Sequence, residues 1–335
     1  MPQTLPSRSL GASGVEISVV GFGAWAAGGG GWAYSWGPQD DGESIDAMRR
    51  AIDLGVNWID TAAVYGLGHS EEVVGRFLRT LPAGERPLVF TKGGLQWDPR
   101  DRSLTPIRSL RPGRIAEECD ESLRRLGVER LDLFQFHWPD ETGVPVEDSW
   151  GAMAALVDAG KVRLAGLSNF GPALLDRCEP IRHVDSLQIP YSLIRRDVAE
   201  RGIPWAAAHR TGVICYSPMQ AGILTESFST GRVADLTPDD WRRKSPEFNP
   251  PKLSANIALR DALRPIAARR GVTVSAIAVA WVLATPGVTG AIVGARSAAQ
   301  VDGWIEAARV SLTAADLAEI AAAHAASQPA PSAAP

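Results

Sequence analysis

Val56-Asn57-Trp58-Ile59-Asp60-Thr61-Ala62-Ala63-Val64-Tyr65-Gly66 is the stretch on which the reading of this chain turns. It opens as a short β-branched and aromatic run with strand character, reaches an acid at Asp60, and breaks into a loop carrying a tyrosine. The helical stretch before it ends at Leu54-Gly55, with the glycine as C-cap. After it Gly66-Leu67-Gly68-His69 turns the chain, and Ser70 is placed to cap a second helix with Glu71 and Glu72 in its first turn. Asp60 therefore stands where a strand hands over to a loop, and Tyr65 stands in that loop. In a barrel of alternating strands and helices, that rim holds the chemistry. Alone, an Asp-Thr pair after a strand is also what an ordinary turn looks like, with side chains bonding the backbone. The other strand ends have to decide.

The unit repeats along the chain. Strands are expected at Val19–Gly23, Trp58–Asp60, Leu88–Lys92, Leu131–His137, Leu164–Ser168, Ser186–Ile189, Val213–Tyr216 and Thr289–Val293. Helices are expected at Ser44–Leu54, Ser70–Leu81, Arg111–Leu126, Val146–Ala159, Pro172–Cys178, Ala199–Arg210, Ile257–Arg270, Val274–Ala284, Ala298–Ala308 and Thr313–Ala326. Eight short apolar strands separated by helices predict an α/β chain folded as one (β/α)8 TIM barrel. A hairpin around Leu10–Val15 precedes it, extra helices follow, and the barrel occupies residues 1–327. Residues 328–335 contain only Gln, Pro, Ala and Ser and are expected to be a disordered tail. A doubly wound sheet would leave a composition break between halves, and none is seen. Gly21-Phe22-Gly23-Ala24-Trp25-Ala26 fits G-x-G-x-x-A, but Gly28–Gly31, Trp32, Trp36 and Pro38 leave no place for the helix a dinucleotide fingerprint needs. Ser217 to Ser254, rich in Pro, Asp and Arg, reads as a long irregular loop.

Composition narrows the function. Apolar residues make up 45% and charged residues 21% of 335, ordinary for a globular protein with a sizeable core. A net charge of −4 without a basic block argues against nucleic acid as a partner. No apolar run approaches the ~20 residues of a membrane span, and Met1–Leu5 lack a signal core, so no membrane partner and a cytoplasmic location are expected. Cys119, Cys178 and Cys215 lie far apart without metal-ligand spacing; they read as reduced thiols, and no metal is expected.

The strand ends carry Asp60, Lys92, His137, Ser168-Asn169, Gln188 and Tyr216-Ser217. Singly, each has an ordinary explanation: a lysine snorkelling out of the barrel, a histidine held by a carbonyl, a tyrosine that only packs. Together, an acid, a tyrosine, a lysine and a histidine on three successive strand ends suit proton donation to a carbonyl oxygen while hydride arrives from elsewhere. A tyrosine of pKa ~10 is a poor acid, and a neighbouring ammonium is expected to lower that value. The short-chain dehydrogenase alternative needs Tyr-x-x-x-Lys. The residues four after Tyr34, Tyr65, Tyr191 and Tyr216 are Pro38, His69, Arg195 and Gln220, so it fails.

Asp60-Thr61-Ala62-x-x-Tyr65-Gly66, Lys92-Gly93, His137-Trp138-Pro139, Ser168-Asn169 and Ile292-Val293-Gly294-Ala295-Arg296 resemble the aldo-keto reductase family, in its bacterial-type branch, over roughly Ser9 to Ile320. The resemblance implies that Tyr65 is the proton donor, that Lys92 and Asp60 tune it, and that His137 orients substrate. It implies that Gly23, Ala24, Trp25 and Asp60 lie against a nicotinamide cofactor, and that Ser168, Asn169 and Gln188 hold its carboxamide. It places Tyr216 on the nicotinamide ring and Ser217, Pro218, Met219 and Gly222 along the pyrophosphate. Gly294, Arg296 and Gln300 would take the adenosine end, with Arg296 near the 2′-phosphate of NADP. Trp25, Trp32, Trp36 and Trp138 would form an aromatic wall at the mouth, with Trp25, Trp32 and Trp138 toward substrate. The chain departs from the family after Gln300, where Val301-Asp302-Gly303-Trp304 shifts an acid by one and lacks an asparagine. The implied activity is NADPH-dependent reduction of aldehydes and ketones, reversible as alcohol oxidation, with NAD possible and small carbonyl or alcohol compounds as partners. The alternatives are an NAD-dependent sugar or polyol dehydrogenase and a non-catalytic cofactor-binding subunit that reports redox state. Oligomeric state has no reading in the sequence.

Overall fold

Eight parallel strands close on themselves in chain order: β1 (Val20–Gly23), β2 (Trp58–Asp60), β3 (Leu88–Gly93), β4 (Leu131–Phe136), β5 (Val162–Ser168), β6 (Ser186–Pro190), β7 (Gly212–Tyr216) and β8 (Val288–Gly294). A computed structural model describes residues 4–327, so the tail expected at 328–335 lies outside the described residues. Helices α1 (Asp41–Asp53), α2 (His69–Arg79), α3 (Pro112–Leu126), α4 (Val146–Asp158), α5 (Pro172–Cys178) and α6 (Ala199–His209) follow the first six strands. The expected (β/α)8 architecture is what forms, and closure leaves the barrel sheet itself without an edge.

Side chains alternate across a strand, so every second residue faces the barrel axis. Trp58, Phe90, Leu133, Leu164, Ile214 and Ile292 form one inner apolar cluster, joined from below by Leu10, Val15 and Ile17. The N-terminal hairpin, Ser7–Ser9 paired with Glu16–Ser18, thereby plugs the amino-terminal end of the barrel. Trp58 fills the space that Gly21 leaves: a Cβ there would come 2.1 Å from its ring. Two residues further along β2, β3, β4 and β7 the inward positions are Asp60, Lys92, Gln135 and Tyr216. The same alternation that builds the apolar layer thus delivers a polar layer at the carboxyl ends of the strands.

Several local expectations are corrected. Ser70 does not cap α2. That helix starts at His69 with Gly68 (φ 102°) as N-cap, while the buried Ser70 hydroxyl donates to the Ala24 carbonyl at 2.8 Å and pairs with Thr61 Oγ1. The helix expected over 257–270 is two, α8 (Lys252–Ala262) and α9 (Arg264–Arg270), because Pro265 cannot continue the first. The one expected over 298–308 stops as α11 (Ala298–Asp302) at Gly303. Residues 217–254 are not shapeless: they hold 3-10 turns at Gln220–Gly222, Trp241–Lys244 and Pro246–Phe248, and the short helix α7 (Thr230–Ala234). Buried Arg260 of α8 anchors that segment, donating to the carbonyls of Thr225 (2.9 Å) and Phe228 (2.8 Å). The remaining helices are α10 (Val274–Leu283) and α12 (Ala314–Ser327). Unforeseen is a small hairpin, Leu95–Gln96 with Ile107–Arg108, beside the mouth.

Cys119, Cys178 and Cys215 are buried free thiols. Burial pushes the first two up to about 12 and Cys215 higher still. Among the described residues no single helix is long and apolar enough to cross a membrane.

Candidate active site

Lys92 is the centre of the polar layer. Its ammonium, fully buried, donates to Asp60 Oδ1 at 2.5 Å, to the Thr61 carbonyl at 2.9 Å and to the Tyr65 hydroxyl at 3.4 Å. Asp60 Oδ2 accepts from Gln188 Nε2 at 2.9 Å, which also reaches Gln135 Oε1 at 3.3 Å. Both carboxylate oxygens are thus met by donors, the condition under which a buried charge pair is tolerated. Burial pushes the Asp60 carboxyl up and the Lys92 ammonium down, and each opposes the other's shift.

The expected lowering of Tyr65 does not occur. Burial, then the Asp60 charge, holds its phenol well above the ordinary tyrosine value, because desolvation outweighs the ammonium 3.4 Å away. His137 packs edge-on against the Tyr65 ring at 5.6 Å. Burial, then the charges of Lys92 and Arg108, holds its imidazole well below the usual range, so it is neutral at pH 7; among the described residues its Nδ1 has no partner.

Behind β3 a second polar set braces the strand. Thr91 points outward and donates to buried Glu71 at 2.6 Å, which also takes Arg125 Nε at 2.6 Å. Buried Glu118 of α3 accepts the Gly94 amide at 2.5 Å and lies 3.4 Å from Arg114. Burial raises this carboxyl to about 7.

A cavity of about 1060 Å³ runs across the rim from these groups to the opening of α11. Its lining includes Gly23, Trp25, Trp32, Asp60, Tyr65, His137 and Trp138. Asn169, Gln188 and Tyr216 line it too, as do Ser217, Pro218, Met219 and Gly222, and Gly294, Arg296 and Gln300. Three expected residues stand behind the wall instead. Lys92 is buried under Asp60 and Tyr65. Ala24 is locked by backbone bonds, its N–H to the Asp60 carbonyl at 2.8 Å. Ser168 accepts from Asn169 Nδ2 at 3.1 Å. Asn169, at φ 65°, also donates to the His137 carbonyl (2.9 Å) and accepts from the Tyr216 hydroxyl (2.9 Å). Ser217, Gln220 and Ala221 share positive φ and the same wall, a concentration of backbone strain typical of functional rims.

The roof is aromatic. Trp25 stacks with Tyr65 (centroids 5.7 Å apart) and with Trp241 (5.4 Å), while Trp36 meets Trp25 and Trp241 edge-on. Trp241 belongs to the segment read as irregular, and no spacing in the sequence ties it to Trp25. Trp32 is largely a packing ring over Ala62 and Val64, and Trp138 carries the Arg108 guanidinium 4.2 Å above its face. Gln135 was also missed, although a glutamine inside the apolar run Leu131–Phe136 was a readable signal.

At the far end Arg296 is half-buried. Its Nε donates to Gln39 Oε1 at 2.7 Å, and its other nitrogens donate to the carbonyls of Trp36 (3.4 Å) and Pro38. Gln300 Oε1 takes the Arg296 amide at 2.9 Å, and Asp302, the shifted acid, pairs with Arg50 of α1.

A barrel with a buried lysine–carboxylate pair under a tyrosine, a neutral histidine beside it and an elongated cavity defines an oxidoreductase that handles carbonyls or alcohols. The chain belongs to the aldo/keto reductase family, whose model matches residues 19–325. The members are NAD(P)-dependent oxidoreductases. The chain is 34% identical to the aldo-keto reductase YhdN of Bacillus subtilis, covering 89% of this chain and 87% of that one. It is 30% identical to the NADH-specific methylglyoxal reductase of Escherichia coli, covering 92% and 94%. Among solved structures it is similar to the glycerol dehydrogenase AKR11B4 from Gluconobacter oxydans, with 36% identity, a TM-score of 0.86, and 98% and 97% of the two chains covered.

The cavity's donor set fits a nicotinamide dinucleotide. Two carboxamides, Asn169 and Gln188, lie near Tyr65, and Arg296, with Arg232 and Arg242 near it, lines the wall by α11.

Proposed function

We propose that the protein reduces aldehydes and ketones with NADPH, reversibly, and that Tyr65 is the proton donor. The observation that carries this is the Tyr65 hydroxyl 3.4 Å from a lysine ammonium that Asp60 holds in place. A bound reduced nicotinamide supplies hydride to the carbonyl carbon. The residues of the chain do the rest. Tyr65, kept protonated at neutral pH, has a proton to give to the carbonyl oxygen. The phenolate left behind lies beside the Lys92 charge, so stabilisation grows as the proton leaves. Neutral His137 retains one ring N–H and one acceptor, which suits it to orient a carbonyl oxygen without competing as an acid. Arg296 at the adenosine end supports NADP over NAD, and NADH use by the methylglyoxal-reducing relative supports admitting both. Likeness to a glycerol dehydrogenase supports a second reading, oxidation of polyols at the same site.

The test is turnover of aldehydes, ketones and polyols in both directions with NADPH and NADH, in the parent protein and Tyr65→Phe. The variant is expected to lose about 10²- to 10⁴-fold in kcat, the usual contribution of a positioned general acid, with cofactor affinity little changed. Near-parental kcat in Tyr65→Phe would remove it from the role. Turnover confined to polyol oxidation with NAD would favour the second reading.

A further inference from the structure

Gln39 and Arg296 lie 257 positions apart and hold each other with two reciprocal bonds. Arg296 Nε donates to Gln39 Oε1 at 2.7 Å, and Gln39 Nε2 donates back to the Arg296 carbonyl at 2.9 Å. The Trp36 and Pro38 carbonyls complete the set, so the loop between β1 and α1 is fastened to the loop after β8 across the end of the cavity. All three acceptors around the guanidinium are neutral. The nearby acid, Asp240, is engaged by Arg242 at 2.6 Å, and Arg232 and Arg242 bring further positive charge to the same region. Arg296 is therefore a cation held by neutral, displaceable partners in a region of further positive charge.

We infer that Gln39 is a cofactor-specificity residue: with the first-loop carbonyls it competes against the cofactor's 2′-phosphate for the Arg296 guanidinium, and so limits the preference for NADP over NAD. This rests on the reading of the cavity as a nicotinamide-cofactor site. A 2′-phosphate reaching Arg296 exchanges an amide acceptor for a charged one, and gains only the difference between them. A 2′-hydroxyl has no reason to break the Gln39 bond, so NAD leaves the fastening intact. The side chain at position 39 thereby weighs on one cofactor and not on the other.

The experiment is calorimetric titration of NADP+ and NAD+ into the parent, Gln39→Ala, Gln39→Glu, Arg296→Ala and the double variant Gln39→Ala/Arg296→Ala. In Gln39→Ala the ratio Kd(NAD+)/Kd(NADP+) is expected to rise about 3- to 10-fold, the value of roughly one neutral hydrogen bond. In Gln39→Glu a carboxylate occupies the guanidinium and repels the phosphate, so the ratio is expected to fall about 10-fold or more. NAD+ affinity should stay within about twofold in both, since neither change touches a 2′-hydroxyl. Against Arg296→Ala alone, the double variant should show no added shift in the ratio, because the residue competed for is gone. Parallel changes in both affinities, or an unmoved ratio in the two single variants, overturn the inference while the functional reading stands. A parent protein that binds neither dinucleotide overturns that reading and this inference together.

Discussion

Asp60, Lys92, Gln135 and Gln188 sit on barrel strands, whereas Trp25, Trp36, Gln39 and Trp241 sit on loops that meet over the rim. The first group is fixed by closure: neighbouring strands set the backbone, and alternation sets which side chains point inward. Its members are buried and bonded to one another on the barrel axis. The second group is fixed by side-chain contacts between segments distant in sequence. Trp241 leans on Trp25, and Asp239 takes the Gly31 amide at 3.0 Å and the Ser35 hydroxyl at 2.8 Å. On the proposed reading the floor of the cavity carries the groups for carbonyl chemistry and the roof those that choose among ligands, and rings held by stacking can be exchanged without dismantling the barrel.

The division can be broken most forcefully at Lys92. Lys92→Met leaves Asp60 buried without its counter-charge, and removing one member of a buried pair costs about 3–5 kcal/mol. The urea midpoint should fall accordingly, along with turnover. A stability close to the parent's would mean that the floor is not braced by this pair.

Behind the same strand, Glu118 offers a pH-dependent test. Its folded value, about 7, lies above the ordinary carboxyl value of 4.5, so the folded state binds the extra proton. Its contribution to stability is complete below pH 4.5 and is lost as pH rises through about 7, a change of about 3 kcal/mol at most. Glu118→Gln keeps an acceptor for the Gly94 amide but cannot ionise. Comparing urea midpoints from pH 4.5 to 8, the variant should gain on the parent as pH rises and level off above 7. Parallel pH profiles would contradict this.

The smallest effect is expected in the roof. Trp241→Ala removes the stack on Trp25 and the edge contacts to Trp36 and Phe248, each aromatic pair contributing roughly 0.5–1.5 kcal/mol. KM should rise severalfold while kcat holds within about threefold, since the cavity loses a wall ring and none of its reacting groups. A fall in kcat approaching that expected of Tyr65→Phe would erase the distinction between roof and floor.

The same division explains what was legible in the sequence. Strand ends could be read because a period of two and a glycine or turn residue at each boundary are local signals; Asp60, Lys92, His137 and Gln188 followed directly. Ser70 was misread because its nearest backbone amides suggested a cap, whereas its partners, Ala24 and Thr61, come from other loops. Trp241 and Gln39 carried no signal, since nothing local says which distant residue a tryptophan will stack on or a glutamine will fasten. The direction of the Tyr65 shift was misjudged for a related reason. A neighbouring ammonium can be inferred from spacing, but the depth of burial that outweighs it is a property of the closed barrel.

The three buried cysteines acquire a further meaning beside the lysine count. Only four of the 34 basic residues are lysines, namely Lys92, Lys161, Lys244 and Lys252. Lys92 is sealed in the floor, Lys161 is paired with Asp120, and Lys252 with Glu247. Simple aldehydes damage proteins by adding to thiolates and free amines. Here the thiols are inaccessible and held protonated, and amines are scarce. On the proposed reading, simple aldehydes that enter the cavity meet few thiolates or free amines of the protein itself, which limits that route of self-modification.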